Sequence, residues 1–300
     1  MKKRLLIATS TFGEYLDETF LKKMTNKFHI IQNPYKRKMT KKELLFYLKK
    51  HKIEYVISGL EVYDKEVIES SNLKIISRLG SGMSNIDIKL AKSKKIKIFS
   101  TPHAPTNAVA ELTLSMILNL LKDSFKMNNK MRNKKWERYI GNLLEEKTVL
   151  IVGYGNIGKR LSKLLKPFNV NLLICDKKFK INKLNQFKSL SLALPKADIV
   201  TFHVNKDEVM LGENEIKFLK KGVFILNASR GRVIDEKALI KCLRNRIVER
   251  AWIDVFDEEP YFGKLSSFEN VILTPHIGSY TKETREQMEI ESFKNIINNL

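Results

Sequence analysis

The sequence predicts an α/β fold of two lobes, each built on a parallel β-sheet. Short apolar runs alternate with amphipathic segments from the first residues to Ser100, a long helical stretch interrupts the alternation, and the alternation resumes from Thr148 to Thr274. Such alternation is typical of β-α units, because each connecting helix returns the chain to the same end of a parallel sheet. The change of rhythm near residue 100 therefore marks the boundary between the two lobes.

In the first lobe, five apolar runs are predicted strands. They read RLLIA, FHII, EYVIS, LKIIS and IKIF. The segments between them have apolar residues at helical spacing: a stretch that ends near Met24, then KKELLFYLKK, KEVIES and DIKLAKS. Period-3.6 segments that separate apolar runs predict crossover helices on a parallel sheet.

After Ser100, the stretch NAVAELTLSMILNLLKDSFKMNNKMRN predicts one or two long helices with a broad apolar face. It is too long for an ordinary crossover, and it is a candidate for a subunit or interdomain contact. The second lobe runs from TVLIVG to VILT, and TKETREQMEIESFKNIINNL predicts a closing helix.

Composition places the chain among globular proteins, because 43% hydrophobic residues in a chain of 300 can bury real cores. The longest strongly apolar stretch, LTLSMILNLL, is shorter than the roughly 20 residues that a transmembrane helix needs. No small-residue cleavage site follows the opening MKKRLLIA, so we expect a cytoplasmic protein. The two cysteines, Cys175 and Cys242, have no metal-ligand spacing, and no metal site is predicted.

A formal net charge of +22 is the unusual bulk property, and it favours phosphate-bearing or anionic partners. The basic residues are spread along the chain, with denser runs at 35–42 (YKRKMTKK) and 130–138 (KMRNKKWER). Neither run has regular aromatic interleaving or a recognisable nucleic-acid motif. We therefore interpret the charge as solvated helix faces, and we expect neither a specific nucleic-acid partner nor a membrane partner.

A dinucleotide-binding fingerprint follows the first strand of the second lobe. Gly153, Gly155 and Gly158 form the pattern GxGxxG between TVLIV and a helical segment. The first glycine allows a tight turn, the second lets the backbone approach a pyrophosphate, and the third lets helix and strand pack closely. Phosphates would bind at the helix N-terminus, so this lobe is predicted to be Rossmann-like.

Asp176 ends the next apolar run, VNLLIC, where a carboxylate can meet the hydroxyls of the adenosine ribose. A carboxylate there repels a 2'-phosphate, so the expected cofactor is NAD rather than NADP. Lys177 and Lys178 directly follow and could soften that preference.

Three further strands end in residues suited to hydride transfer. Arg230 follows the apolar run GVFILNAS, Asp254 and the pair Glu258 and Glu259 follow ERAWI, and His276 follows VILTP. A histidine titrates near neutrality and can exchange the proton of a hydroxyl. A neighbouring carboxylate orients the ring, and a cation holds a substrate carboxylate and polarises a carbonyl oxygen. These types together indicate oxidation of a hydroxy acid or reduction of an oxo acid.

From about Glu54 to Glu286 the sequence resembles the D-specific 2-hydroxyacid dehydrogenases, and among them it is most similar to D-3-phosphoglycerate dehydrogenase of serine biosynthesis. The resemblance rests on the motifs RLGSGMSNID, STPHAPTNAVAELTL, VLIVGYGNIGKRL, ADIVTFHV, NASRGRVIDEKAL, IDVFDEEP and ILTPHIGSYT. It implies that Arg230, Glu259 and His276 are catalytic.

The resemblance also implies two groups of binding residues. Asp254 would lie near the nicotinamide amide, and Asn156, Ile157 and Ala228 would join the glycines and Asp176 in binding NAD. The backbone of Gly80, Ser81 and Gly82 would hold the substrate carboxylate, and Arg78 and Arg138 lie where relatives that use phosphoglycerate place cations.

The resemblance further implies two domains with a cleft between them. Residues 1–100 with 281–300 would form a flavodoxin-like substrate-binding lobe, residues 101–280 would form the Rossmann-like NAD-binding lobe, and a homodimer would use the long helices after Ser100. Two departures stand out: HVNKDEVMLG, with Asn205, Lys206 and Asp207, replaces a segment that usually contains Pro-Leu-Thr, and GNLLEEKT lacks a glycine before Lys147.

Substrate and function class stay open at this point. Glyoxylate, hydroxypyruvate or lactate-type acids would use the same three residues as phosphoglycerate. Some relatives of the fold bind NAD(H) and act as transcriptional corepressors. The intact set of Arg230, Glu259 and His276, without long disordered arms, favours an enzyme.

Overall fold

The computed structural model describes residues 2–177, 185–187 and 189–300 and divides into two compact units. Unit 1 comprises residues 1–105 and 279–300, and unit 2 comprises residues 106–278. The sequence-based boundaries at residues 100 and 280 lie within a few residues of these divisions. The last segment of the chain folds with unit 1.

Unit 1 contains a five-stranded parallel sheet. Its strands are β1 (Lys3–Ile7), β2 (Phe28–Gln32), β3 (Tyr55–Ser58), β4 (Ile75–Arg78) and β5 (Lys97–Ser100). Their spatial order is β2-β1-β3-β4-β5, the order of flavodoxin-like sheets. Its helices are α1 (Glu18–Lys27), α2 (Lys41–Lys50), α3 (Lys65–Glu69), α4 (Ile88–Ser93) and, from the end of the chain, α10 (Lys282–Ile297).

Unit 2 contains a seven-stranded parallel sheet. Its strands are β6 (Thr148–Val152), β7 (Asn171–Cys175), β8 (Asn185–Phe187), β9 (Ile199–Phe202), β10 (Val223–Asn227), β11 (Val248–Ile253) and β12 (Val271–Leu273). The order β8-β7-β6-β9-β10-β11-β12 is the doubly wound Rossmann order with one further strand. Its helices are α5 (Thr106–Lys122), α6 (Ser124–Arg132), α7 (Asn156–Leu165), α8 (Leu190–Ala193) and α9 (Glu236–Arg244).

Both sheets are buried on both faces, which explains why their strands are apolar runs rather than alternating ones. In β6, Leu150 packs into the core on one face and Ile151 into the core on the other. In β1 of unit 1, Leu6 likewise packs into the core on one face of the sheet and Leu5 into the core on the other face. The α/β prediction with two parallel sheets is confirmed.

The long helical stretch after Ser100 forms two helices, and their junction is anchored to the sheet of unit 2. Asp123 adopts a left-handed conformation with φ 54° between α5 and α6. Its carboxylate accepts a hydrogen bond from the buried Arg250 guanidinium of β11 at 3.1 Å, and Arg250 lies over the Tyr139 ring at 4.5 Å. The apolar face of α5 is buried within unit 2, against α7, β10 and β11.

Local sequence signals position the helix ends. Among the helices of the described residues, six begin with a side chain that accepts a hydrogen bond from a backbone N–H of the first turn. These N-cap residues are Asp17, Thr40, Asp64, Asp87, Asp235 and Thr281. In the described residues, no helix has both the length and the apolarity to span a membrane.

Candidate active site

The glycine turn after β6 has the geometry of a phosphate-binding loop. Gly153 has φ +93°, and a Cβ there would lie 2.6 Å from the carbonyl oxygen of His203. A Cβ at Gly158 would lie 2.3 Å from the carbonyl oxygen of Gly153, so the start of α7 packs closely on the turn. Around Gly155, at the N-terminus of α7, nothing lies within 4 Å of a Cβ position. The turn is therefore tightly packed at Gly153 and Gly158 and open at Gly155, where a pyrophosphate needs space to approach the backbone.

Asp176 lies directly after β7, beside the glycine turn. Its Oδ2 accepts a hydrogen bond from the backbone N–H of Tyr154 at 2.7 Å, which ties the strand end to the turn. Asn156 and Ile157 form the first turn of α7, where Asn156 is exposed and Ile157 is partly buried. Lys177 is exposed, and Lys178 lies outside the described residues.

His276 and Glu259 form a direct pair in unit 2. The Nδ1 of His276 lies 2.9 Å from Oε2 and 3.1 Å from Oε1 of Glu259. The backbone N–H of Phe256 donates to Glu259 Oε1 at 3.1 Å and fixes the carboxylate. Because the two imidazole nitrogens lie on opposite sides of the ring, this contact turns Nε2 away from Glu259. The side chains are 34% and 23% exposed, so the pair is accessible at the surface of unit 2.

Arg230 follows β10 in a turn organised by Asn227. The Asn227 amide donates to the Arg230 carbonyl at 2.9 Å, and its oxygen accepts from the backbone N–H of Ser229 at 3.0 Å. Burial lowers the pKa of Arg230, and the carboxylates of Asp207 and Glu259 act in the opposite direction. Within the described residues Arg230 makes no ion pair. A guanidinium in these surroundings is suited to receiving an anion.

The buried carboxylate of Asp254 holds the loop that contains His276. Its Oδ1 accepts from the Thr274 hydroxyl at 2.6 Å and from the Ile277 N–H at 2.9 Å, and its Oδ2 accepts from the Gly278 N–H at 3.0 Å. The His276 N–H donates to the Asp254 carbonyl at 2.9 Å, and His276 has φ +54°. Burial raises the pKa of Asp254, and the hydrogen bonds partly offset that effect. The loop conformation therefore depends on one side chain at the end of β11.

Unit 1 contains the second group of predicted site residues, in the turn after β4. Gly80 has φ +120°, and a Cβ there would lie 1.7 Å from Nη1 of Arg78, so the guanidinium covers the glycine. The Gly80 N–H donates to the Thr101 hydroxyl at 2.7 Å, which fixes the turn. Ser81 is exposed and Gly82 is partly buried, and within the described residues their backbone N–H groups make no hydrogen bond. The turn therefore offers two backbone donors to an anion, and the Arg78 guanidinium lies beside them.

Two predicted residues have other surroundings. Ala228 is partly buried directly after β10, where it packs on the core of unit 2. Arg138 is exposed in the segment after α6. In the described part of the chain, no hydrogen bond or ion pair joins Arg138 to Arg230, Glu259 or His276.

Two contributors to the site were missed by sequence reasoning. Asp207, in the departing segment HVNKDEVMLG, places its charge within reach of Arg230. Thr274 links Asp254 to the Trp252 indole, which donates to its hydroxyl at 2.9 Å. Neither residue has a local sequence signal, although Thr274 lies within the motif ILTPHIGSYT. In the residues that the structure describes, no group of three acidic, histidine or cysteine side chains could hold a metal ion.

The comparisons with known proteins bear directly on this arrangement. Residues 114–278 match the model of the D-isomer specific 2-hydroxyacid dehydrogenase NAD binding domain. The chain belongs to the D-isomer specific 2-hydroxyacid dehydrogenase family. The matched residues include the glycine turn, Asp176, Arg230, Glu259 and His276. The chain is therefore an NAD-dependent D-2-hydroxyacid dehydrogenase, as the sequence motifs predicted.

Individual relatives refine this assignment. The dehydrogenase is 34% identical to a glyoxylate reductase of Thermococcus litoralis, over 78% of this chain and 76% of the relative. It is 33% identical to a glyoxylate reductase of Pyrococcus furiosus, over 79% and 76% of the two chains. Its fold matches the crystal structure of the TT0316 protein from Thermus thermophilus with a TM-score of 0.86 and 26% identity, over 98% of this chain and 96% of that chain.

These relatives change one expectation from the sequence. The prediction of a D-2-hydroxyacid dehydrogenase is confirmed, whereas the finer similarity to D-3-phosphoglycerate dehydrogenase finds less support than similarity to glyoxylate reductases. The catalytic motifs cannot distinguish these enzymes, because they serve the hydride and proton transfer that all of them share.

Proposed function

We propose that this dehydrogenase reduces small unphosphorylated 2-oxo acids, such as glyoxylate and hydroxypyruvate, with His276 as the proton donor. The observation that carries the mechanism is the 2.9 Å contact between His276 Nδ1 and the Glu259 carboxylate. Similarity to two glyoxylate reductases supports the substrate class. The alternative is the phosphorylated substrate of serine biosynthesis, 3-phosphohydroxypyruvate. The substrate panel described below distinguishes the two substrate classes.

The reaction needs a proton at the substrate oxygen. NADH, when bound, supplies the hydride that reaches the carbonyl carbon, and the carbonyl oxygen then takes a proton from Nε2 of His276. In the oxidative direction Nε2 accepts that proton from the hydroxyl. Glu259 fixes the tautomer by accepting from Nδ1–H, and its negative charge balances the imidazolium that precedes reduction.

Arg230 binds the substrate carboxylate or polarises the carbonyl oxygen. Its burial and its lack of an ion pair within the described residues leave the charge available to a ligand. In unit 1, the backbone N–H groups of Ser81 and Gly82 make no hydrogen bond within the described residues, and we propose that they bind a carboxylate beside Arg78. Asp254 is a positioning residue, because both of its oxygens are occupied by the loop that contains His276.

The residues of the glycine turn fit a dinucleotide. The open space at Gly155 and the N-terminus of α7, with Asn156 and Ile157, would hold the pyrophosphate. Asp176, already turned toward the glycine loop, would accept from the ribose hydroxyls and disfavour a 2'-phosphate. Ala228 is proposed to line the cofactor site. These residues support NAD as the preferred cofactor.

We also propose that the protein is a homodimer through the segment 125–143. Large apolar side chains are exposed there: Trp136 is 79%, Ile140 94% and Leu143 66% exposed. Between Trp136 and Ile140 the segment is fixed to unit 2, because the Tyr139 ring packs on the buried Arg250 guanidinium. Exposed apolar side chains that cluster on a fixed surface are typical of interfaces. Light scattering should give a dimer for the wild type and a monomer for Ile140→Glu; a wild-type monomer would contradict this part.

A substrate panel tests the proposed function. Oxidation of NADH is measured with glyoxylate, hydroxypyruvate, pyruvate and 3-phosphohydroxypyruvate, for the wild type, His276→Ala and the matched control His29→Ala on the exposed edge strand β2. We expect the highest kcat/KM with glyoxylate or hydroxypyruvate, and loss of activity only in His276→Ala.

Preference for the phosphorylated acid would return the substrate assignment to serine biosynthesis and leave the mechanism unchanged. Failure to turn over any acid, with NADH binding demonstrated by fluorescence, would contradict the enzymatic proposal. It would favour a nucleotide-sensing binding protein of the corepressor kind instead.

A further inference from the structure

One segment of unit 1 carries a dense part of the chain's positive charge. Residues 27–52, which include β2 and α2, contain nine lysines and arginines and a single glutamate, a formal charge of +8 out of the total of +22. None of these residues belongs to the candidate active site. Their charge is therefore not accounted for by the dehydrogenase reaction.

The structure brings aromatic rings into this basic segment. Tyr35 packs edge-on against Tyr47, with ring centroids 6.2 Å apart, and Phe46 packs edge-on against Tyr47 at 5.6 Å. Tyr47 in turn stacks on His51 at 5.7 Å with an interplanar angle of 28°. Phe46 is 54% and Tyr35 39% exposed, so the cluster presents ring surface to solvent. Sequence reasoning missed this cluster, because three of its four rings lie outside the run at 35–42.

Cations are interleaved with these rings. The guanidinium of Arg37 lies 4.8 Å from the centroid of Tyr35, and the Lys50 ammonium lies 5.1 Å from that of Phe46. We call these six residues the basic-aromatic patch: Tyr35, Arg37, Phe46, Tyr47, Lys50 and His51. Five further lysines of the same segment are exposed and make no ion pair with any residue that the structure describes. They are Lys36, Lys38, Lys42, Lys49 and Lys52.

From this arrangement we infer that the basic-aromatic patch binds single-stranded nucleic acid without sequence specificity. Lysine and arginine neutralise backbone phosphates and release counterions, while exposed aromatic rings stack on unpaired bases of any sequence. A duplex would satisfy the cations but not the rings, because its bases are already stacked. The patch should therefore prefer single strands.

The same observations disfavour a lipid surface as the partner. An interfacial helix inserts a continuous apolar face between headgroups. The apolar residues of α2 are already used inside unit 1, because Leu44 is 0% and Leu48 1% exposed. Phe46 is the large aliphatic or aromatic side chain of α2 that remains more than half exposed. Charge with separate stacking rings fits a nucleic-acid strand better than a membrane.

The test uses the full-length protein and a fluorescently labelled 20-nucleotide oligo(dT), with anisotropy measured from about 50 to 200 mM salt. Lys49→Gln/Lys50→Gln removes two charges from the patch, and Lys89→Gln/Lys92→Gln removes two exposed charges from α4 of the same unit. Phe46→Ala removes a stacking ring. Phe218→Ala is its matched control, because Phe218 is 37% exposed and the Lys217 ammonium lies 5.4 Å from its ring centroid.

We expect the two kinds of variant to differ in salt dependence. Lys49→Gln/Lys50→Gln should reduce the slope of log K against log salt by about 1.4, at about 0.7 for each phosphate that is no longer neutralised. Phe46→Ala should weaken binding about 5- to 100-fold with an unchanged slope, since stacking carries no charge. Both control variants should bind like the wild type, and all four should keep wild-type dehydrogenase activity.

Several results would overturn the inference. The first is that the wild type does not bind oligo(dT) at about 100 mM salt. The second is that it binds a duplex of the same length as tightly as oligo(dT). The third is that Lys89→Gln/Lys92→Gln loses as much affinity for oligo(dT) as Lys49→Gln/Lys50→Gln does. Binding to anionic phosphatidylserine vesicles without binding to oligo(dT) would also overturn it. Because the test reads nucleic-acid affinity, its failure would leave the proposed dehydrogenase function intact.

Discussion

Two regions of the molecule use the same residue types, an arginine and a buried acid, to different ends. In unit 1, Arg285 and Glu289 of α10 are paired at 3.1 Å and are 10% and 2% exposed. Together they hold the loop after β1, because Arg285 donates to the Thr11 carbonyl at 2.7 Å and Glu289 accepts from the Gly13 N–H at 2.9 Å. In unit 2, Asp254 accepts its hydrogen bonds from the loop of His276 and not from an arginine.

The difference shows how a fold can leave an arginine unpaired, so that its charge remains available to a ligand. Arg285 is paired with Glu289 and helps to hold the loop after β1. The Asp254 carboxylate accepts its hydrogen bonds from backbone N–H groups and a hydroxyl. It therefore fixes its loop without forming an ion pair with an arginine or lysine among the described residues. Arg230, in the neighbouring loop after β10, makes no ion pair within the described residues and can still bind an anion.

Exchange of each arginine for lysine should give the largest contrast between the two regions. Lysine keeps the charge but loses the planar fork that binds a carboxylate through two hydrogen bonds. Arg230→Lys should lower kcat/KM about 100-fold. Arg285→Lys should leave kcat/KM within about twofold and lower thermal stability. Steady-state kinetics with the preferred 2-oxo acid measures kcat/KM of both variants, and thermal unfolding measures their stability. Equal losses of kcat/KM in the two variants would contradict the different roles of Arg230 and Arg285.

Asp254→Asn tests whether the acid acts through the loop. One oxygen becomes an amide NH₂ that faces a backbone N–H or the Thr274 hydroxyl, so the loop of His276 should shift. We expect kcat to fall about 30-fold, since a displacement of about 1 Å can cost 100-fold, with NADH affinity within about twofold. Loss of NADH affinity with unchanged kcat at saturation would instead place Asp254 at the nicotinamide.

Much of the fold and the site follows from local sequence patterns. Apolar runs between amphipathic segments predicted parallel sheets in both units, and the motifs around Gly153, Arg230, Glu259 and His276 predicted the residues of the candidate site, whose roles stay a prediction. The contacts of Asp254 with Ile277 and Gly278 could not be predicted, because they depend on how the end of β11 meets a loop more than 20 residues later in the chain. Periodicity reports which face a residue occupies and not which distant side chain it meets.

The same limit applies to the influence of Asp207 on Arg230 and to the buried contact of Arg250 with Asp123. The predicted subunit contact on the long helices illustrates a further limit. An apolar face is visible in sequence, but only packing decides whether it is covered within the unit, as on α5, or exposed, as at Trp136 and Ile140.

Glu289→Gln should affect stability and not catalysis. The amide keeps one acceptor for the Gly13 N–H but loses the charge that neutralises Arg285. We expect the free energy of unfolding to fall by about 1–3 kcal/mol, with kcat/KM unchanged within about twofold. Urea unfolding with parallel kinetics measures both. A loss of kcat/KM comparable to that of Asp254→Asn would show that the two regions do not differ in function.

A pH effect with a defined sign comes from His203, a buried histidine of unit 2 for which the described residues provide no charged partner. Burial lowers the pKa of His203 to about 3, while its Nε2 contacts the Thr201 hydroxyl at 2.9 Å. An unfolded chain protonates this histidine below about 6.5 and the folded protein does not, so stability is lost as the pH falls from about 6.5 toward 3. The contribution lost by pH 5 is about 2 kcal/mol.

Unfolding free energies at pH 7 and pH 5 should show this loss in the wild type and in the control variant His29→Gln, but a smaller loss in His203→Gln. The same dependence on pH in all three proteins would contradict the assignment. The acid-labile contribution would then come from another group.

The most direct test of the account is the rate of hydride transfer in a single turnover. Enzyme with bound NADH is mixed with the preferred 2-oxo acid, and the decay of NADH absorbance is followed for the wild type, His29→Ala and His276→Ala. We predict that His276→Ala slows the decay about 1,000-fold while its NADH dissociation constant stays unchanged, because general acid catalysis is lost and the glycine turn is not. A His276→Ala rate within about tenfold of the wild type would contradict the assignment of His276 as the proton donor.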